Sequence, residues 1–201
     1  MRLEKASAKA IKYACMNFHY AKSIPVNTFG YSVFNQINEW CGVVLFGSGA
    51  NNNLPKMFGL NSGEVIELVR MALNGKQGVT GSIMAVALKL ARKHVPLAKI
   101  IVSYADSNQG HIGTIYQATN WIYTGSCKLD ALEIDGIQIH RKSVYSKYGY
   151  NSVERLNRNG VNAKWIKGEV KHRYIYPLDK SLIPMCKALS KPYPKKQAVE
   201  A

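Results

Sequence analysis

The sequence predicts one α/β domain spanning residues 1–201, with a mixed central sheet flanked by helices. Three observations predict it. Short apolar segments rich in β-branched and aromatic residues recur along the chain, each bounded by Gly, Asn or Pro clusters, which is the pattern of strands. A glycine-rich turn leads straight from one such segment into an amphipathic helix. The later segments alternate between strand-like and helical, the order of a sheet with helices packed on it. A chain of 201 residues with 47% hydrophobic and 19% charged residues can fill one core and is too apolar for disorder.

Taken in order, residues 8–17 read as a strand or a short helix, and residues 24–27 (IPVN) as a loop. Residues 29–34 alternate and are rich in aromatics; across a turn at 35–39 they meet residues 40–46, giving an antiparallel hairpin. Residues 47–63 (GSGANNNLPKMFGLNSG) have no period and read as a long, functional loop. Residues 64–73 form a strand and 74–82 (NGKQGVTGS) the glycine-rich turn. Residues 83–94 form a helix whose last turn carries Arg92 and Lys93, cations suited to the negative end of its dipole. A buried strand follows at 99–104, a helix at 111–121, strands around 132–139 and 172–178, and a helix between them at 152–159. Residues 126–180 read as a basic C-terminal extension integral to the domain, and 187–201 as a loose tail.

Charge narrows the partners. Lys and Arg number 27 against 12 Asp and Glu, a net charge of +15. The excess is +7 over residues 1–127 and +8 over the shorter remainder, so it is no detachable basic arm. Such a field draws a polyanion, and nucleic acid is the commonest one. The four cysteines have no CxxC spacing, which excludes zinc-ribbon and thioredoxin readings and leaves free thiols. Residues 1–12 alternate charged and apolar side chains, so no signal peptide is expected, and no apolar run approaches the ~18–20 residues that cross a bilayer.

Three groups of residues can carry chemistry. Gln77, Gly78, Thr80, Gly81 and Ser82 lie where a strand gives way to a helix N-terminus, a place whose free amides and dipole suit an anion; an ordinary turn is the alternative. Tyr104–His111 (YADSNQGH) follows a buried strand, and polar groups at the carboxyl end of such a strand line ligand clefts. Asp106 there is either functional or an N-cap. Tyr116 shares a helix face with Asn120. His19-Tyr20 precedes a proline-containing loop.

The stretch from Gln77 to Gly125 resembles the core of the GNAT superfamily of N-acyltransferases. There a glycine-rich turn before a helix holds the coenzyme A pyrophosphate, and a later helix carries a pattern that IYQATNW (115–121) matches, with Tyr116 in the place of a general acid. The turn departs from the usual R/Q-x-x-G-x-G/A spacing. FHYAKSIP (18–25), GVVLFGSGANNNL (42–54), GLNSGEVIELVRMAL (59–73), SYADSNQGHIGTIYQATNWIYTG (103–125), KYGYNSVERL (147–156) and KHRYIYPL (171–178) are similar to the Mom family of phage DNA-modification enzymes. That resemblance implies a GNAT-like fold and a carbamoylmethyl (acetamido-type) group placed on the exocyclic amine of adenine in double-stranded DNA. It implies protection of phage DNA from host restriction, inside the bacterial cytoplasm.

The candidate catalytic residues are then His19, Tyr20, Ser82, Asp106 and Tyr116. Gln77, Gly78, Thr80, Gly81 and Ser82 would seat an acyl donor such as acetyl-CoA. His19, Tyr20 and Asp106 form a candidate donor set for a redox metal such as iron. Arg141, Lys142, Lys147, Arg155 and Arg158 would neutralise DNA phosphates, with Tyr145, Tyr148, Tyr150 and the 47–63 loop holding an opened strand. A homodimer is a candidate assembly. Two alternatives stand beside this reading: an acetyltransferase acting on a protein or small-molecule amine, and a non-catalytic DNA-binding protein on the same scaffold.

Overall fold

The computed structural model describes residues 1–195 except 50, 52, 129, 130, 140 and 167–169; the side chains of 128, 131 and 141–143 are also outside the description, as are residues 196–201. Ser7 caps the first helix, its hydroxyl accepting from Ala10 N at 3.2 Å, and this settles residues 8–17 as helix α1 (Ala8–Asn17). The strand β1 (Arg2–Lys5) precedes it, and β2 (Thr28–Phe34) and β3 (Trp40–Gly47) form the expected hairpin. Then come β4 (Val65–Leu73), α2 (Thr80–His94), β5 (Ile100–Asp106), α3 (Thr114–Ala118) and β6 (Ile122–Lys128). After them run β7 (Ala131–Ile134), β8 (Ile137–Ile139), α4 (Arg141–Tyr148), α5 (Val153–Arg158), β9 (Ala163–Ile166), β10 (Val170–Pro177) and α6 (Ile183–Ala188).

The main sheet runs β1-β2-β3-β4-β5-β10-β6, and β8-β7-β9 form a second, three-stranded sheet. Within the main sheet β4 and β5 are parallel and the other neighbours antiparallel, so the predicted mixed sheet is observed. On one face α2 buries Ile83, Met84, Ala87, Leu88 and Ala91 in the core that holds Phe46, Ile66, Ile101 and Trp121. On the other, Ala14 and Cys15 of α1 pack with Val43, Leu45 and Ala72. Leu54, Phe58 and Cys186 pack there with Ile100, Val102 and Ile175.

One discontinuity shapes the molecule. β4 and β5 pair only over Val65–Glu67 and Ile100–Val102, although β4 runs on to Leu73 and β5 to Asp106. A register shift against β3 at Leu45/Phe46 gives β4 an extra residue just where it leaves β5; such a bulge bends and twists the strand that carries it. The first rung beyond the split is made by a side chain, with Ser103 Oγ 2.8 Å from the Leu68 carbonyl.

Several expectations are corrected. The helix expected over 111–121 is only Thr114–Ala118, because Gly113 (φ 79°) opens it and Asn120 (φ 60°) turns the chain into β6, burying Trp121 completely. The single strand expected over 132–139 is a hairpin, turned by Asp135-Gly136 at φ 51° and 80°, both in the left-handed region that short hairpin turns require. Residue 187, expected to begin a loose tail, belongs to α6. Lys191 N then donates to Tyr123 O at 2.8 Å and Tyr193 Oη to Trp121 O at 2.7 Å, strapping the chain along the β6 edge.

Gly113 shows how tight the core is beside the split. A methyl group there would lie 2.3 Å from Tyr174 Cε2, at a φ of 79°. Gly113→Ala should lower unfolding free energy by roughly 2–4 kcal/mol, from left-handed backbone strain and overpacking together. Urea melts check this; a loss within a few tenths would mean that the ring moves aside freely.

Candidate active site

The split opens a cleft of about 1200 Å³. Its walls are β4 from Glu67 to Met71 and β5 from Tyr104 to Asp106. Residues 18–21 and 109–116, Asn51, Met57, Cys127 and the β10 side chains Lys171 and Arg173 complete it.

Asp106 ends β5 and is only 6% exposed. Its Oδ1 accepts from Asn108 N at 3.0 Å, capping the turn that follows, while Oδ2 accepts from Tyr20 Oη at 3.3 Å and lies 4.0 Å from Lys171 Nζ. The cap and the site are therefore one residue, each role using a different oxygen. Lys171 stands there because β10 pairs with β5 in the register Lys171↔Asp106.

Tyr20 stacks on His19, with ring centroids 4.3 Å apart, and meets His111 edge-on at 5.8 Å. His19 Nδ1 accepts from Ala21 N at 3.1 Å, which leaves the imidazole proton on Nε2. Burial, helped by the nearby positive charge of Arg70 and by His111, lowers the His19 pKa to about 4, so the ring is neutral at pH 7.

Tyr116 approaches from α3. Ser103 Oγ lies 2.7 Å from Tyr116 Oη and 2.8 Å from the Leu68 carbonyl. A serine hydroxyl has one proton and a carbonyl only accepts, so Ser103 donates to Leu68 and receives the phenol proton of Tyr116. Burial pushes the Tyr116 hydroxyl up to about 12, partly opposed by the Ser103 bond and reinforced by Glu67. Tyr116 is thus a fixed, neutral phenol.

The cleft joins four of the five expected catalytic residues: His19, Tyr20, Asp106 and Tyr116. Ser82 does not join them; it is exposed at the start of α2. Gln77–Ser82 do border α2 as expected, but they are not among the cleft-lining residues. Gln77 Nε2 donates to Thr80 Oγ1 at 3.1 Å, and a methyl group on Gly81 would sit 3.5 Å from Thr119 Cγ2, so α3 lies directly against this turn. Lys147, Arg155 and Arg158 are exposed on α4 and α5, with Arg155 over the Tyr150 ring at 4.4 Å and Lys147 over Tyr148 at 5.0 Å. The side chains of Arg141 and Lys142 lie outside the described residues.

The structure gives the iron expectation no support. Among the described residues no group of three or more His, Cys, Asp or Glu side chains is placed to hold a metal ion. The Nδ1 of His19 is already held by Ala21, so Nε2 could take a metal only by turning a proton onto that N–H.

Sequence reasoning missed Glu67, Arg70 and Arg173. Arg70 Nη1 donates to the Ser23 carbonyl, tying the 18–25 segment over the cleft, while its Nε is buried without a partner. The available signal was the pair of charges inside the apolar strand EVIELVRMAL, which no fully buried strand would carry.

Comparison with known proteins identifies the family and the fold. The sequence profile of the Mom protein family matches residues 1–195. The methylcarbamoylase Mom of Escherichia phage Mu is 26% identical over 165 residues, which are 80% of this chain and 66% of that protein. The chain therefore spans just under two thirds of that relative's length. Among solved structures, a variant of spermidine N-acetyltransferase SpeG from Vibrio cholerae superposes with a TM-score of 0.52 at 9% identity, over 92% of this chain and 99% of that one. The smu.2055 protein of Streptococcus mutans UA159 gives 0.50 at 9% identity, over 89% and 100%. At such identities the likeness is one of fold, and the fold is the GNAT-like one that the sequence predicts.

The state of His19 has a measurable consequence. Its folded pKa, about 4, lies below the 6.5 of the exposed ring, so unfolding takes up a proton between those values. Stability should fall as pH drops from 6.5 towards 4, and His19 should contribute no slope above about pH 7. In NMR titrations the His19 ring should stay neutral at pH 5.5, and His19→Gln should flatten the acid limb of the stability profile. Titration near 6.5 would contradict the buried, Arg70-facing position.

Proposed function

The chain belongs to the Mom protein family, and from that premise we propose that it is a DNA-modifying transferase that places a carbamoylmethyl group on the exocyclic amine of adenine. The observation that carries the reading is the convergence of Tyr20, Asp106, His19 and Tyr116 on the cleft where β4 and β5 part. The adenine amine is a poor nucleophile because its lone pair is delocalised into the ring. It needs a base as its new N–C bond forms, and Asp106 is a carboxylate held at the end of a strand by a backbone amide and Tyr20. As the N–C bond forms and the donor's bond to the transferred carbon breaks, the amine proton passes to Asp106. Tyr116, a neutral phenol, turns its proton from Ser103 to the donor's leaving atom as that atom gains charge; neutral His19 offers Nε2–H as a second donor.

An adenine paired in a duplex cannot reach so enclosed a carboxylate, so the base must leave the stack, at a cost of roughly a few kcal/mol. Lys147, Arg155 and Arg158, with Arg141 and Lys142, supply the phosphate contacts that offset it. An acyl donor such as acetyl-CoA would be seated at the first turn of α2, which no side chain caps, beside Gln77–Ser82. The acetyl group of acetyl-CoA carries no nitrogen, so a carbamoylmethyl product also requires a source of amide nitrogen. The cleft holds Arg70, Lys171 and Arg173 against Glu67 and Asp106, a cationic lining that suits a nucleotide and disfavours a polyamine acceptor. No helix among the described residues is long and apolar enough to cross a membrane; the site of action in this reading is the host cytoplasm, on phage DNA.

DNA from cells expressing the wild-type chain should resist restriction endonucleases that have adenine in their sites. Asp106→Asn keeps the cap acceptor and removes the base; it should reduce modification by roughly 10²–10⁴-fold and cost about 1 kcal/mol of stability or less. Tyr116→Phe leaves the Ser103–Leu68 bond in place and should keep the fold and DNA affinity while losing most protection. Full protection by either variant removes that residue from the chemistry.

A further inference from the structure

Arg173 is a residue the reaction scheme above does not use. It lies on β10 two positions from Lys171, so both side chains project from the same face of the sheet. Their partners on β5 are Tyr104 and Asp106, also two apart, and the four side chains line one end of the cleft. Thr124, a buried residue of β6, fixes the guanidinium: Arg173 Nε donates to Thr124 Oγ1 at 2.8 Å, and that hydroxyl lies 3.4 Å from the Arg173 carbonyl. Arg173 Nη2 lies 3.5 Å from the Thr124 carbonyl.

The remaining edge of the fork faces the cleft. Its Nη1 meets only the thioether Met57 Sδ, at 3.4 Å. A thioether is a weak acceptor. Among the described residues no carboxylate forms an ion pair with Arg173. A partly buried, rotationally fixed guanidinium with an unneutralised charge and a poorly occupied donor edge is built to receive an oxyanion. Met57 belongs to the 55–58 turn of the long loop, so the arriving anion would replace the contact between that turn and the strand.

We propose that Arg173, aimed by Thr124, is the oxyanion-binding residue of the cleft and takes a phosphate group of the substrate. The inference rests on the cleft being the substrate site. Two sources share this chemistry, a phosphate of the DNA strand flanking the extruded nucleotide and a phosphate on the donor.

Arg173→Gln, which keeps polarity and removes the charge, tests it on the whole chain. Inorganic pyrophosphate should raise the melting temperature of the wild type. Arg173→Gln should weaken pyrophosphate binding roughly ten- to hundredfold. A fluorescent duplex titrated at several salt concentrations separates the sources: a salt slope smaller by about 1 in the variant assigns the anion to the DNA strand, and an unchanged slope with lost pyrophosphate binding assigns it to the donor. Should Arg173→Gln not fold, Arg173→Met carries the test, since it keeps the apolar stem and removes the charge; the same losses are expected. Wild-type pyrophosphate binding together with an unchanged salt slope, in whichever variant folds, overturns the proposal. A wild type that leaves DNA cleavable while showing Arg173-dependent anion binding would overturn the DNA-modification reading and keep this one.

Discussion

The structure depends on the early parting of the parallel strands β4 and β5. After Glu67 and Val102 the backbones of β4 and β5 no longer bond to each other. Left alone, Leu68 would have an unmet carbonyl in the middle of a sheet, and buried backbone acceptors are rarely left so. The hydroxyl of Ser103 meets it, and in doing so fixes Tyr116. A single side chain thus satisfies the edge of the gap and holds the phenol of Tyr116 beside it.

Charge is distributed in the cleft so that its groups differ in readiness. His19 is held neutral by burial and by Arg70, and Tyr116 is held protonated by burial. Tyr104, desolvated and near Glu67, is likewise pushed up to about 12, with Arg173 opposing the shift. The donors are therefore uncharged, and the charged groups are carboxylates and basic side chains fixed by strand register. Lys171 answers Asp106 across one rung, and Arg173 sits beside Tyr104 two residues on. In the proposed reading such an interior receives an anionic substrate and offers the buried Asp106 carboxylate as a proton acceptor.

The strand-rich N-terminal half was legible because its signals are local: the hairpin of β2 and β3, the strand β4 and the helix α2 each follow from alternation or period. Asp106, Tyr116, His19 and Tyr20 were legible as candidates through the motif resemblance and their places after a strand or before a loop. What stayed hidden is nonlocal. β10 enters between β5 and β6 from far along the chain, so nothing near Arg173 or Lys171 in sequence says that they reach Asp106. β1, β6 and β9 escaped because they are short, polar or glycine-containing, and gain their identity from partners rather than from pattern. Ser82 was expected with the other catalytic candidates and does not line the cleft. Its local setting at a helix N-terminus was read correctly, but α3 packs against that turn and the cleft opens elsewhere.

The central claim is that the cleft at the strand split alkylates the amine of an adenine delivered from DNA. Mass spectrometry of nucleosides from DNA of cells expressing the chain tests it most directly. The account predicts a deoxyadenosine species heavier by one carbamoylmethyl group in place of an amine hydrogen, absent from cells without the chain. DNA whose deoxyadenosine is entirely unmodified, in cells where the folded protein is abundant, would contradict it.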